Sequence, residues 1–171
     1  PLGRAPLFLD RGKGARVWDV DSNEYYDLVS ALLPVVLGYC DYDVDEAIRV
    51  QLNKGILFSL STEIELDLVS KLNHLIPCAE KIRFVKNGSD ATAAAVRLSR
   101  AFTRKNVVIS IGYHGWHDWY VGATTRNKGV PDSVSRLTHK LEFGNIGILE
   151  SYLKSNHKDI AAIILEPYPL V

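Results

Sequence analysis

The run Val107-Val108-Ile109-Ser110-Ile111 is almost wholly apolar and shows no alternation of apolar and polar residues. A strand with one face in water alternates, so a strand of this kind must be covered on both faces, as strands of parallel sheets are. Helices are therefore needed above and below it, and the neighbouring sequence offers them. Residues 91–103 read as a helix rich in small side chains, preceded by an Asn87-Gly88-Ser89-Asp90 turn and a short strand over 82–86. Residues 146–155 read as a further helix, and 160–165 as a second buried strand. Strands alternating with helices in this way predict an α/β fold, with a mainly parallel sheet flanked by helices.

The first third of the chain has a different texture. Residues 16–20 and 24–29 read as two short strands around Asp21-Ser22-Asn23, a turn-forming trio. Residues 43–54 read as a helix, with Asp43 and Glu46 at capping-box spacing and Val44, Ala47, Ile48 and Leu52 on one face. Thr62 and Glu65 repeat that start signal. Ile64, Leu68, Leu72 and Leu75 follow at helical period, and Pro77 ends the pattern.

Of the 171 residues, 47% are hydrophobic, enough for a real core. The 20 basic and 20 acidic residues balance, which argues against nucleic acid or an anionic membrane as a non-specific partner. Cys40 and Cys78 stand far apart without a CxxC pattern and read as free thiols of a reducing compartment. Residues 1–16 contain no unbroken apolar stretch of the secretory kind, and the longest apolar runs are too short to span a bilayer. A soluble cytoplasmic protein is expected. The sequence stops at Tyr168-Pro169-Leu170-Val171, directly after a strand with no helix to cover it, so its end is expected to be a truncation.

Two segments carry chemistry. At Lys86-Asn87-Gly88-Ser89-Asp90-Ala91 a strand is expected to meet a helix. The first amides of a helix are unpaired and its dipole is positive there, so a phosphate can sit against them with the Ser89 hydroxyl as a further donor. Gly88 permits a close backbone approach. An ordinary helix cap is the competing reading of the same residues. The spacing matches neither a Walker loop nor a dinucleotide fingerprint.

The second segment, Gly112-Tyr113-His114-Gly115-Trp116-His117-Asp118-Trp119-Tyr120, follows the buried strand directly. Loops beyond the carboxyl ends of strands are where α/β sheets bind ligands. Tyr113 can lay its ring on a flat heteroaromatic ligand, and His114 can exchange a hydrogen bond with one. A metal site from His114, His117 and Asp118 lacks a separated third ligand, and none is expected. Stacking on nucleobases would call for a basic stripe that is missing. For Trp119 and Tyr120, simple burial is the alternative.

Taken in order, these motifs resemble those of class III aminotransferases, and within them the branch containing glutamate-1-semialdehyde aminomutase. Arg11-Gly12-Lys13-Gly14-Ala15-Arg16-Val17-Trp18-Asp19-Val20-Asp21 resembles the family's N-terminal strand motif, and Leu37-Gly38 stands before a helix with a family counterpart. Ile82 to Thr92 with Arg97 to Thr103 resembles the phosphate-loop strand and helix. Tyr113-His114-Gly115 resembles the loop that stacks on the cofactor, and Ile163-Ile164-Leu165-Glu166-Pro167 the strand ending in Glu-Pro beside the active site. Departures are Asn87 and Asp90 in the phosphate loop, Ser22 for a common glycine, Tyr39 for a common histidine, and Trp116 where the aminomutase branch usually has histidine.

The resemblance implies the N-terminal part of a type I pyridoxal-phosphate transferase fold. Residues 1–58 would belong to the small domain and 59–171 to the first part of the large cofactor-binding domain. Gly88 and Ser89 would bind the phosphate of pyridoxal 5'-phosphate (PLP), Tyr113 would stack on its ring, His114 would lie near it, and Glu166 would shape the substrate side. The enzyme would pass an amino group from an amine or amino acid to a keto or aldehyde acceptor, as a homodimer with active sites at the subunit interface. In the family the Schiff-base lysine and the aspartate that pairs with the pyridinium lie beyond the Glu-Pro strand. Here that is beyond Val171, so the segment by itself is expected not to transaminate. The alternative is a non-catalytic chain that keeps the fold for phosphate or protein binding.

Overall fold

The computed structural model describes residues 8–168; the beginning of the stretch 1–16 and the end of 168–171 lie outside the described residues. The chain divides into two compact units between Cys78 and Ala79. The junction expected at 58/59 falls inside the first of them.

In the first unit, β1 (Leu9–Lys13), β2 (Arg16–Asp19) and β3 (Glu24–Tyr26) form an antiparallel meander in the order β1-β2-β3. The expected hairpin around Asp21 to Asn23 is present, with one more strand before it. Ser22 turns the corner at φ 65°, the left-handed region in which glycine is usual, which gives the Ser22 departure a physical meaning. Asp19 holds the turn closed. Its carboxylate accepts hydrogen bonds from the amides of Asp21 (3.0 Å) and Asn23 (2.8 Å) and from the Tyr25 hydroxyl (2.9 Å). Tyr39, the other departure, forms an isolated bridge with Gly14 and lays its ring where a side chain on Gly12 would have to go. Its hydroxyl donates to Asp27 at 2.7 Å.

Helix α1 (Tyr42–Leu52) starts earlier than the spacing predicts. Its cap is Asp41, which accepts from the Val44 amide at 3.1 Å, while Glu46 pairs with Arg49 at 3.2 Å. Asp43 and Glu46 thus form no capping box, because a closer Asp two residues upstream already occupies the cap. Helix α2 (Glu63–Leu75) begins as expected: the Glu65 carboxylate accepts from the Thr62 amide at 2.9 Å. No residue of α1 or α2 is buried, and the apolar stripe of α2 is open at Ile64, Leu68 and Leu75.

The second unit contains α3 (Gly88–Thr103), β4 (Val107–Ile111), the single turns α4 (Asp118–Val121) and α5 (Asp132–Ser135), β5 (Thr138–Leu141), α6 (Ile146–Asn156) and β6 (Ile160–Leu165). The sheet is parallel in the order β5-β4-β6, with β4 at its centre. Both faces of β4 are covered, as its composition demands. Val108 packs with Val96 of α3 and with Trp119 and Tyr120 of α4. On the opposite face Ile109 and Ile111 pack with Ile160 and with Leu149, Tyr152 and Leu153 of α6.

Two expectations are corrected here. Residues 82–86 form no strand, since no described strand lies alongside to supply a ladder, and Phe84 and Val85 remain exposed. Strand β6 is an edge strand and not a buried one: only Ile160 is buried, because β4 is its sole neighbour among the described residues. Strand β5 was not expected; its Thr-His-Lys-Leu sequence lacks an apolar run.

The Asp19 network gives a pH test. Hydrogen bonds, foremost from the Asn23 side chain, hold the Asp19 carboxyl below the ordinary value of 3.8. A depressed folded value means stability that is complete above 3.8 and lost as pH falls through the lower folded value. An acid titration followed by NMR of the β2–β3 amides should therefore show the hairpin weakening below that pH. Asp19→Asn should lack this step and start from a weaker hairpin. A wild-type hairpin indifferent to acid in this range would contradict the account.

Candidate functional site

Strand β4 ends at Ile111, and the chain leaves the sheet at Gly112 with φ 92°. The loop that follows runs past the N-terminus of α3. Asn87 caps this helix by accepting from the Asp90 amide at 3.0 Å, and its carbonyl accepts from the Ala91 amide at 3.1 Å. Helix geometry leaves the amides of Gly88 and Ser89 without intrahelical acceptors. A side chain on Gly88 would meet nothing within 4 Å, so no described part of the chain covers this spot.

The Ser89 side chain is tied to the aromatic loop. Its oxygen accepts from the Trp116 amide at 3.3 Å, which leaves the hydroxyl proton free to donate elsewhere. Gly115 stands against it at φ 100°, where a side chain would collide with the Ser89 side chain and lie 3.0 Å from its Cα. Asn87, Gly88, Ser89, Thr92, Tyr113, His114, Gly115 and Trp116 together line an open cavity of about 450 Å³. Gly88, Ser89 and Tyr113 thus face one space.

Tyr113 is 65% exposed, and the edge-to-face packing with Tyr120, at 5.7 Å and 84° between planes, supports its ring. Burial pushes the Tyr120 phenol up, so it stays protonated and donates to the Gly112 carbonyl at 2.9 Å. The His114 ring is buried between Trp119 and Tyr120, and Nε2 lies 3.0 Å from the Ile111 carbonyl, which can only accept; Nε2 therefore carries a proton. The imidazole is used by the fold, and His114 is at the same time among the residues that line the cavity. Glu166 follows β6, and its Oε2 accepts from the Tyr113 amide at 2.9 Å.

Sequence reasoning missed Thr92. Its hydroxyl lies 2.9 Å from the His114 carbonyl and 3.1 Å from that of Ser89, bridging helix and loop. A threonine one turn into a helix gives no local sign of such a long-range partner. The His117 Nε2 sits 3.5 Å from the Asp90 carboxylate. Among the described residues no group of three or more His, Cys, Asp or Glu side chains comes together as a metal set, and no helix is long and apolar enough to cross a membrane.

At this edge of the parallel sheet the start of α3 and the exposed Tyr113 ring line one open cavity. The chain belongs to the class-III aminotransferase family, whose profile matches residues 2–169. It is 42% identical to the 3-aminobutyryl-CoA aminotransferase of Cloacimonas acidaminovorans, over 96% of this chain and 39% of that protein. With the glutamate-1-semialdehyde 2,1-aminomutase of Persephonella marina it shares 36% identity, over 97% of this chain and 41% of that protein. The FumI protein of Sphingopyxis sp. MTA144, solved in its PLP internal aldimine form, superposes with a TM-score of 0.87 at 30% identity, over 95% of this chain and 39% of FumI. The chain therefore spans about two-fifths of the length of the curated relatives it matches.

The Gly115 geometry is open to test. Gly115→Ala combines a left-handed backbone with a collision at Ser89 and should cost on the order of 1–3 kcal/mol, measured by chemical unfolding. Gly129→Ala is the reference, since Gly129 has φ 89° but nothing within 4 Å of an added side chain. Gly115→Ala should be the worse of the two. Equal losses would show that the Ser89 contact contributes nothing.

Proposed function

We propose that the complete protein is a PLP-dependent aminotransferase or aminomutase, to which residues 1–171 contribute the phosphate turn and the ring-stacking loop. The observation that carries this reading is the shared cavity of Ser89, Gly88 and Tyr113 beside free helix amides. Gly88 and Ser89 hold the phosphate through their amides and the Ser89 hydroxyl. The exposed Tyr113 face takes the pyridine ring, with Tyr120 supporting it from the edge. His114 lies in this wall near the cofactor while its ring anchors the loop in the core, and Glu166 lies beside Tyr113 toward the substrate. When bound, PLP supplies the electron sink that stabilises a carbanion at the amino-bearing carbon. The lysine that carries it, and the aspartate that pairs with its ring nitrogen, belong to the part of the family pattern that follows Glu-Pro.

The substrates are an amine or amino acid as donor and a keto or aldehyde compound as acceptor. The relatives include both an aminotransferase and aminomutases, so the reading covers transfer between two molecules and rearrangement within one. A cytoplasmic homodimer is the assembly proposed. Residues 1–58 are assigned to its small domain and 59–171 to its large one.

Titration of the complete protein with PLP should give the near-ultraviolet and visible absorbance of a bound cofactor, and a panel of amino donors with keto acids should reveal transfer. Ser89→Ala removes a hydrogen bond to a charged phosphate, about 1.5–3 kcal/mol, and should raise the cofactor Kd about tenfold or more. An unchanged Kd would remove Ser89 from the phosphate site. Absence of any cofactor absorbance in the wild type would sink the reading as a whole.

A further inference from the structure

We propose that Glu166 and Thr92 are positioning residues, which hold the main chain on either side of Tyr113 and so fix the plane of its ring; the proposal rests on reading this cavity as the cofactor site. An aromatic ring that is 65% exposed has little packing to orient it, yet its backbone is held at successive points. On one side the Glu166 amide donates to the Ile111 carbonyl at 3.1 Å, which aligns the ends of β6 and β4. The Glu166 carboxylate then turns back and accepts from the Tyr113 amide at 2.9 Å. It passes over Gly112 so closely that a side chain there would lie 3.0 Å from the carboxyl carbon. Glycine at 112 is thus required twice, by its φ of 92° and by the carboxylate.

On the other side Thr92, one turn after Ser89 in α3, reaches the His114 carbonyl at 2.9 Å. The next residue is Gly115, whose missing side chain admits Ser89, and Trp116 then donates its amide to the Ser89 oxygen. The ring-bearing residue is clamped to β6 through its own amide and to the phosphate helix through the carbonyl that follows it. Stacking and phosphate binding are in this way set in one frame before a ligand arrives, and the cost of orienting the loop is not charged against binding. Glu166 acts here as a hydrogen-bond acceptor for the main chain. Its charge toward substrate is not what the clamp uses.

That distinction gives the test, made on the complete protein. Glu166→Gln keeps an acceptor oxygen and loses the charge, whereas Glu166→Ala loses both. Thr92→Ser keeps the hydroxyl, and Thr92→Val keeps the shape without it. The readouts are the induced circular dichroism of bound PLP, its Kd, and amide hydrogen exchange across residues 112–117 in cofactor-free protein. Glu166→Ala and Thr92→Val should weaken PLP binding about fivefold to tenfold, the size of one net hydrogen bond, and alter the dichroism. Glu166→Gln and Thr92→Ser should stay within about twofold of wild type. The proposal is overturned if Glu166→Ala and Thr92→Val leave Kd and dichroism unchanged, or if Glu166→Gln is as damaging as Glu166→Ala. Should wild-type protein show no cofactor dichroism, the cofactor reading fails by itself. Exchange then decides the clamp: faster in Glu166→Ala and Thr92→Val and restored in the conservative pair supports it, and equal in all four overturns it.

Discussion

Strand β4 has no face to give to water, and the rest of the second unit follows from that requirement. Val108 to Ile111 are buried, so helices must cover the sheet on both sides, and the connections between its parallel strands run through helices. Parallel strands bring their carboxyl ends to one edge. The loop at Gly112, the Glu166 that follows β6 and the amides that start α3 consequently meet there without any of them being adjacent in sequence. The site is a by-product of how one apolar strand is buried.

The residues that meet at this edge divide their labour by exposure. His114, Trp119 and Tyr120 lie in the core, where the imidazole spends its proton on the Ile111 carbonyl. Tyr113 and Trp116 remain outside, and Gly112 and Gly115 bracket the change of direction with positive φ. A loop that alternates core anchors with solvent-facing rings cannot slide, because displacing Tyr113 would drag His114 out of its pocket. This is the form that preorganisation takes here, and it is built from hydrogen bonds to main-chain groups more than from side-chain pairs.

How much of this could be read from sequence depended on whether the decisive partner was local. Strand β4 and helices α3 and α6 were legible because apolar runs and helical periods are properties of a short window. The meeting of Ser89 with Tyr113 was legible too, although the segment before Ser89 forms no ladder and only the start of α3 reaches the edge where β4 ends. Residues 82–86 have the β-branched and aromatic content of a strand but no neighbour among the described residues to pair with, and a strand is defined by its ladder. Strand β5 is the reverse case: Thr138, His139 and Lys140 look like a loop, yet β4 offers them an edge. Asp41 outcompeted Asp43 as a cap by standing two residues earlier. The roles of Thr92 and Glu166 rest on partners that no short window contains.

The two units also differ in how far apart in the chain their paired residues lie. The meander of the first unit pairs Lys13 with Arg16 and Trp18 with Glu24, across connections of a few residues. In the second, β4 finds its partners only after the chain has travelled through α4, α5 and α6. Short hairpins close in roughly 1–10 μs, whereas parallel pairings wait on the closure of long loops. During synthesis the meander can therefore form as soon as it clears the ribosome. The edge that carries Ser89 and Tyr113 comes together late, and until β6 arrives one side of β4 is a bare, apolar template for any other extended segment.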